Sequence, residues 1–444
     1  MDDSGDKGRK DAVLTIHVTP SAFGVIFFLF GGIVSAILVS NLEVIFPTRN
    51  FISGTTELSK LPNSEVQKFD YGIRNWPVTV SSPSQKTSLS QDLVGEVQAA
   101  VHQALEAKYQ GKRAKAQKLF QHALALDPHH ADALNEYGEF VEEDDIVHAN
   151  HLYSCALVVN ESHSRALMNK ERTSAAVAEN DKRLFARVDE KRELLGQQMP
   201  EHSRALQRAR AEFYYLQIYH TTAIEGNTLS LEQMRSILET GFAVGGKSVL
   251  EHNEVLGMNA ALRYINDTLM HRFGAISLDD ILNIHRRVLG FVDPIDSGTL
   301  RTTQVFVGGY VPPPSSEVED LMEEYITWLN SEEASALHPV EFAAVAHYKF
   351  IFIHPFLDGN GRTSRLLMNL ILLKGGYPPV IIKLSQRQEY YETIKQANMG
   401  DIRPFIRFIC RCLDDMIDAY LWVTSDSSSN LPEIEEGRRL VTET

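Results

Sequence analysis

IHPFLDGNGRTSRLLMN, residues Ile353–Asn369, crowds a histidine, a carboxylate, two glycines and two arginines between two apolar runs. A Walker phosphate loop would need Gly-Lys-Ser/Thr after four spacers, and no lysine stands there. An EF-hand calcium loop would place an oxygen ligand where Arg362 stands and end on a glutamate that is absent. What remains is a loop in which Gly359 and Gly361 let backbone N–H groups converge into an anion-binding nest at the start of a helix. That helix is expected from about Arg362, with Gly375 and Gly376 past its end and Pro378 closing it. Arg362 and Arg365, three apart in its first turn, would share one face and clamp successive phosphates. Cations at a helix N-terminus oppose the macrodipole, so an anion belongs between them. Asp358 offers a hard oxygen for Mg²⁺, which in nucleotide sites takes one or two carboxylates plus phosphates. His354, outside the nest, is placed as general base for an attacking hydroxyl; taken alone, it also fits a hydrogen-bonded core histidine.

Outward from this stretch the pattern is helical. Apolar positions at spacings of three and four run through 211–224, 231–240, 251–270, 277–289, 316–330 and 339–352. The one β-like run, Thr302 to Val307, precedes Gly308-Gly309-Tyr310 and Pro312-Pro313-Pro314 and suits a short hairpin or flap. Further upstream the sequence repeats. At an offset of 33 positions Ala123, Leu124, Asp127, Ala133 and Leu134 fall on Ala156, Leu157, Asn160, Ala166 and Leu167. A small residue, two bulky ones and then Ala-Leu, recurring at about 34 residues, is the pattern of tetratricopeptide helix pairs. Two repeats fit 97–130 and 131–164, with an unrelated helical bundle as the alternative. Fewer than three repeats rarely stand alone, so linker helices over 165–210 should cap them.

Ala22 to Val39 is an uncharged run of roughly 27 Å as a helix, just enough to span a bilayer. A retained anchor over 22–42 is favoured over a cleaved signal peptide, because four aspartates stand beside Lys7, Arg9 and Lys10 and no small-x-small site closes the run. The basic residues before it place 1–21 in the cytosol and the rest across the membrane. Residues 43–90 read as a stalk and 425–444 as a flexible tail. Sequons at Asn160 and Asn266 are compatible with a lumenal body. A net charge of -15 over 444 residues repels phosphate backbones and argues against nucleic acid as a partner. The three cysteines, Cys155, Cys410 and Cys412, build neither a disulfide framework nor a four-cysteine zinc site.

HPFLDGNGRTSR resembles the Fic-family signature HPFx[D/E]GNGRxxR at every specified position. The resemblance implies an all-α Fic domain, here 276–411, and transfer of AMP from ATP to a target hydroxyl. It makes His354 the base and Asp358 the ligand of Mg²⁺ or Mn²⁺. ATP contacts would fall to Asp358, Gly359, Asn360, Gly361, Arg362, Thr363, Ser364 and Arg365. Val307, Gly308, Gly309 and Tyr310 sit where the family flap covers nucleotide and target, and Tyr390, Tyr391 and Asn398 where nucleoside contacts lie. For the flap positions and the two tyrosines ordinary packing is the alternative.

Upstream, TTAIEGN (Thr221 to Asn227) is similar to the family's inhibitory motif [S/T]xxxE[G/N]. Glu225 would close a helix end where the dipole disfavours a negative charge, so a positive partner should compensate. In the family that partner corresponds to Arg365, and the same carboxylate can orient a water for removal of AMP. The inhibitory helix and its extension to the core would occupy 211–275. The order of anchor, repeats, inhibitory motif and Fic core is similar to the animal endoplasmic-reticulum branch of the family. That resemblance implies a type II endoplasmic-reticulum membrane protein with a lumenal catalytic domain, a homodimer, and the lumenal Hsp70 chaperone as substrate. The competing readings are a chaperone-binding repeat scaffold whose Fic site senses nucleotide, and transfer of a different nucleotide.

Overall fold

The computed structural model describes residues 91–198, 204–272 and 274–424. The anchor over 22–42, its cytosolic lead, the stalk and the tail therefore lie outside the described residues. Among the described residues no helix is long and apolar enough to cross a membrane.

The chain begins with α1 (Gln91–Tyr109), α2 (Arg113–Leu126), α3 (Ala131–Val141) and α4 (Ile146–Val159). They form the two helix pairs expected from the repeat. Ala104, Ala116, Ala123 and Ala156 are fully buried, so the small positions of the pattern are where helices approach closely. Phe120 stacks on Tyr137 at 5.4 Å between ring centroids, and a Cβ at Gly138 would overlap the Tyr153 ring. The repeat is also visible in the caps. Asp127 and Asn160 end α2 and α4 with N–H bonds to Ala123 O and Ala156 O. His130 and His163 accept from Ala133 N and Ala166 N, so the next helix begins as a third copy.

That helix, α5 (Ser164–Gln198), runs 35 residues from the repeats into the C-terminal bundle. The bundle comprises α6 (Arg204–Ile224), α7 (Leu231–Thr240), α8 (Val249–Tyr264) with a π turn Ile265–Leu269, α9 (Leu278–Leu289), α10 (Val318–Leu329), α11 (Glu332–Ala336), α12 (Pro339–Ile353), α13 (Asn360–Lys374), α14 (Arg387–Asn398) and α15 (Arg403–Thr424). α12 lies at its centre. Its residues from Val340 to Phe350 are buried almost without interruption, as expected of a helix apolar all round. α15 continues past the boundary at 411 that the sequence suggested, because its buried stripe runs on through Met416, Tyr420 and Val423. The expected hairpin contracts to one antiparallel bridge, Val307 with Tyr310, around Gly308 at φ 57°. Pro312 to Pro314 offer no N–H donors, so the ladder cannot propagate.

Candidate active site

α12 ends at His354, whose φ of 51° and ψ of 60° make it the one non-glycine residue in the left-handed region among the described residues. An L-residue there costs roughly 1 kcal/mol, so its surroundings must hold it. Pro355 prevents the helix from continuing. Asn360 then closes the loop on itself: its side chain donates to Phe356 O at 2.8 Å and accepts from Phe356 N at 3.0 Å. Gly359, at φ 78°, turns the chain into α13, two residues before the start expected from sequence.

Below the loop lies His285. Gly298 N donates to its Nδ1 at 2.8 Å, so Nε2 carries the proton and donates to Asp358 O at 2.9 Å. Its ring stacks on Phe356, and a Cβ at position 359 would stand 3.0 Å from Nε2. Burial pulls the His285 pKa down to about 4, which keeps it neutral, and the Gly298 N–H fixes this tautomer.

Beside the nest, Arg365 is already paired with a carboxylate of the chain itself. Arg365 donates to Glu225 Oε1 at 2.6 Å, to Thr221 Oγ1 at 2.8 Å, to Thr221 O at 2.9 Å and to the Tyr390 hydroxyl at 3.3 Å. Burial works against its charge, but the adjacent Glu225 more than restores it and raises the Arg365 pKa. A Cβ at Gly361 would overlap Glu225 Oε1, so the missing side chain is what admits the glutamate. Arg362 is buried against Asp358 at 3.1 Å and Glu254 at 3.4 Å, and its Nε and Nη1 have no hydrogen-bond acceptor. Such donors at a helix N-terminus suit phosphate oxygens.

Asp358 has a side chain 66% exposed, fixed by Gly359 N at 2.5 Å and by Arg362. Its outward lone pairs fit a Mg²⁺ or Mn²⁺ ion that draws its remaining ligands from phosphates and water. Among the described residues no cluster of three or more metal-ligating side chains occurs. The His354 pKa is lowered to about 4, chiefly by burial, with the Arg301 cation adding to the fall.

Other expected site residues divide. Thr363 and Ser364 are fully buried with their hydroxyls inside the bundle, so a nucleotide would meet only their backbone. Tyr390 is buried behind Arg365, its hydroxyl 3.0 Å from His347 Nε2, whereas Tyr391 is 40% exposed under the Arg387 guanidinium. Asn398 accepts from the Tyr348 hydroxyl at 3.1 Å. In the flap, Tyr310 is anchored on α12 through Phe352 O at 2.9 Å, and Gly308 and Gly309 form the tip. Asn160 is exposed at the end of α4; Asn266 is 5% exposed within the π turn. Sequence reasoning missed His285, His347, Arg301 and Arg387, whose partners are distant backbone atoms or buried hydroxyls without a spacing signature.

Residues 275–372 match the Fic/DOC family. The chain is 54% identical over 331 residues to the protein adenylyltransferase Fic of Aedes aegypti, a match covering 74% of this chain and 66% of that relative. It is 45% identical to the protein of the same name from Drosophila willistoni, over 98% of this chain and 90% of the relative. Among solved structures, residues 134–508 of Fic-1 from C. elegans superpose with a TM-score of 0.69 at 42% identity, covering 75% of this chain and 99% of that one.

Proposed function

The chain belongs to the Fic family of protein adenylyltransferases, and from that premise we propose that it transfers AMP from ATP to a Ser, Thr or Tyr hydroxyl of a protein and removes it at the same site. The observation that carries the two-way reading is the Glu225–Arg365 contact of 2.6 Å at the mouth of the nest. While it persists, Arg365 is closed to a phosphate, and transfer is held back.

In transfer, neutral His354 accepts the proton of the target hydroxyl as its oxygen attacks the α-phosphorus. The bond from that phosphorus to the bridging oxygen breaks and pyrophosphate leaves. The N–H groups of α13 and the Arg362 guanidinium receive the phosphates. Asp358 would hold Mg²⁺ or Mn²⁺, which neutralises phosphate charge when bound. In removal, Glu225 orients a water and takes its proton as the water oxygen attacks the AMP phosphorus; the bond from that phosphorus to the target oxygen breaks, AMP leaves, and that oxygen takes a proton from the protonated form of His354. The resemblance to the endoplasmic-reticulum branch supports the finer reading: a lumenal Hsp70 chaperone as target, a homodimer, and a single-pass type II anchor that places the catalytic domain in the lumen.

Glu225→Gly incubated with α-labelled ATP and a lumenal Hsp70 chaperone should add the mass of one AMP. The rate should exceed wild type by roughly tenfold or more, the effect of losing about 1.4 kcal/mol of inhibitory contact. The wild-type protein should strip AMP from chaperone modified beforehand, and His354→Ala should do neither. Unchanged transfer in Glu225→Gly would sink the inhibitory role, and equal labelling from UTP would point to a different nucleotide.

A further inference from the structure

Arg301 is 3% exposed, and each hydrogen bond described for its guanidinium ends on a backbone carbonyl. Nε donates to His354 O at 2.7 Å, Nη1 to Thr303 O at 3.1 Å, and Nη2 to Pro313 O at 2.6 Å and Ile353 O at 3.3 Å. Its backbone N–H donates to Pro355 O at 2.9 Å. A buried cation needs compensating negative charge, and here the carbonyl end of α12 supplies it, where acceptors are otherwise left open. Lysine would bring a point charge with three donors, whereas the planar fork of arginine reaches carbonyls on two separate segments at once.

Those segments are the two working parts of the site. Thr303 and Pro313 are the stems on either side of the Val307–Tyr310 bridge, and Ile353 and His354 carry the base. Tyr310 ties the flap to the same helix end through Phe352 O. His354 sits in the left-handed region, a conformation that an L-residue leaves when it is not pinned.

We propose that Arg301 is a positioning residue that locks the flap and His354 in one register, so that a hydroxyl presented by the flap arrives at the base already aligned. Arg301 acts through the backbone carbonyls it bonds in both segments. The inference rests on the transfer reaction proposed above, where a misplacement of about 1 Å lowers a rate by about a hundredfold.

Amide hydrogen exchange on the full chain tests the coupling without reference to any activity. In Arg301→Lys, peptides over 302–312 and 352–358 should exchange faster together, by roughly tenfold, with α1–α4 and the body of α13 unchanged. Loosening of the flap alone, or uniform acceleration, overturns the inference. In a Glu225→Gly background, Arg301→Lys should lower kcat for transfer by about 10- to 100-fold with KM for ATP and Tm little moved. Loss of Tm together with ATP binding would make the residue merely structural and overturn the proposal, as would a kcat equal to that of the Glu225→Gly parent. A parent that transfers nothing would instead remove the transfer reading, and the exchange result would decide the coupling.

Discussion

His354 combines a strained backbone with an imidazole whose pKa burial pulls to about 4. Arg301 pushes it the same way, while Glu225 and Asp358 pull upward and are outweighed. A base must be unprotonated at working pH, and a lowered pKa means protonation begins only well below neutrality. kcat/KM for transfer by Glu225→Gly should therefore stay flat from pH 8 down to roughly 5.5, lacking the limb near 6.5 of an ordinary histidine. Deleting Glu225 removes one of the upward pulls, so this variant sharpens the test; an inflection near 6.5 would contradict it. Gly361 is equally specific. A methyl there overlaps Glu225 Oε1 and stands 3.1 Å from Arg365 Nη1. Gly361→Ala should expel the glutamate yet crowd the phosphate subsite, leaving transfer at or below wild type, and activation matching Glu225→Gly would show that phosphate keeps clear of this position. His354, Asp358, Arg362 and Arg365 were legible because they stand together in one short motif, and Glu225 was singled out by resemblance to the family's inhibitory motif rather than by any spacing to Arg365. Arg301 and His285 were not, because their partners are backbone carbonyls 53 and 73 residues away, which no periodicity encodes.

At the scale of elements, α6 ends at Ile224 with two cations near its negative end: Arg365 on Glu225, and Arg387, whose Nε donates to Ile224 O at 2.7 Å. The loop that follows is held by the start of α8. There Ser248 and Glu251 form a capping box, and Glu251 Oε1 also accepts from Thr228 N at 2.8 Å and Thr228 Oγ1 at 2.5 Å. These Thr228 bonds, with those from Ser248, pull the Glu251 pKa down to about 2. The double use separates two variants. Ser248→Ala loses a cap, worth about 1 kcal/mol, and should lower Tm without raising transfer, because the Thr228 tether survives. Glu251→Ala loses cap and tether together and should also raise basal transfer as the segment carrying Glu225 loosens. Equal transfer rates in the two variants would separate the tether from inhibition. Helices from 211 to 352 were readable here from apolar periodicity, whereas α13 begins two residues before its expected start and α15 runs past 411. The flap was readable as a strand-like run before prolines, and those prolines, which cannot extend a ladder, hold it to a single bridge.

At the scale of the whole molecule, the repeats join the catalytic bundle along α5 and at one buried polar contact. Along α5, Asp181 takes Arg407 at 2.5 and 2.7 Å, and Lys191 reaches Asp414 at 2.5 Å and Asp418 at 2.7 Å. Higher up, Met399 packs on the repeat core and Gly400, at φ 96°, lets its loop press on Val158. Between them His151 of α4 meets Asp401 at 3.0 Å, and Arg403 bonds both Asp401 and Ser154. The repeat itself was visible in the sequence, but this docking was not, because it joins positions 250 apart. Burial opposes a proton on His151, yet the Asp401 hydrogen bond and the Cys155 contact outweigh it and raise the pKa. A folded pKa above the unfolded value of about 6.5 contributes stability that is fully present below 6.5 and lost as pH rises through the folded value. The docked repeats should therefore be held most firmly at neutral and acidic pH and loosen toward alkaline pH. Removing one partner of a buried pair costs about 3–5 kcal/mol, less where another group remains bonded, as Arg403 does to Asp401. Asp401→Ala should thus expose α1–α4 to limited proteolysis more than His151→Ala does, with the catalytic bundle spared in both. The wild-type chain should show rising cleavage in α1–α4 as pH increases, and Asp401→Ala should lose that dependence; the same pH dependence in both would remove this contact as the lock between repeats and catalytic bundle.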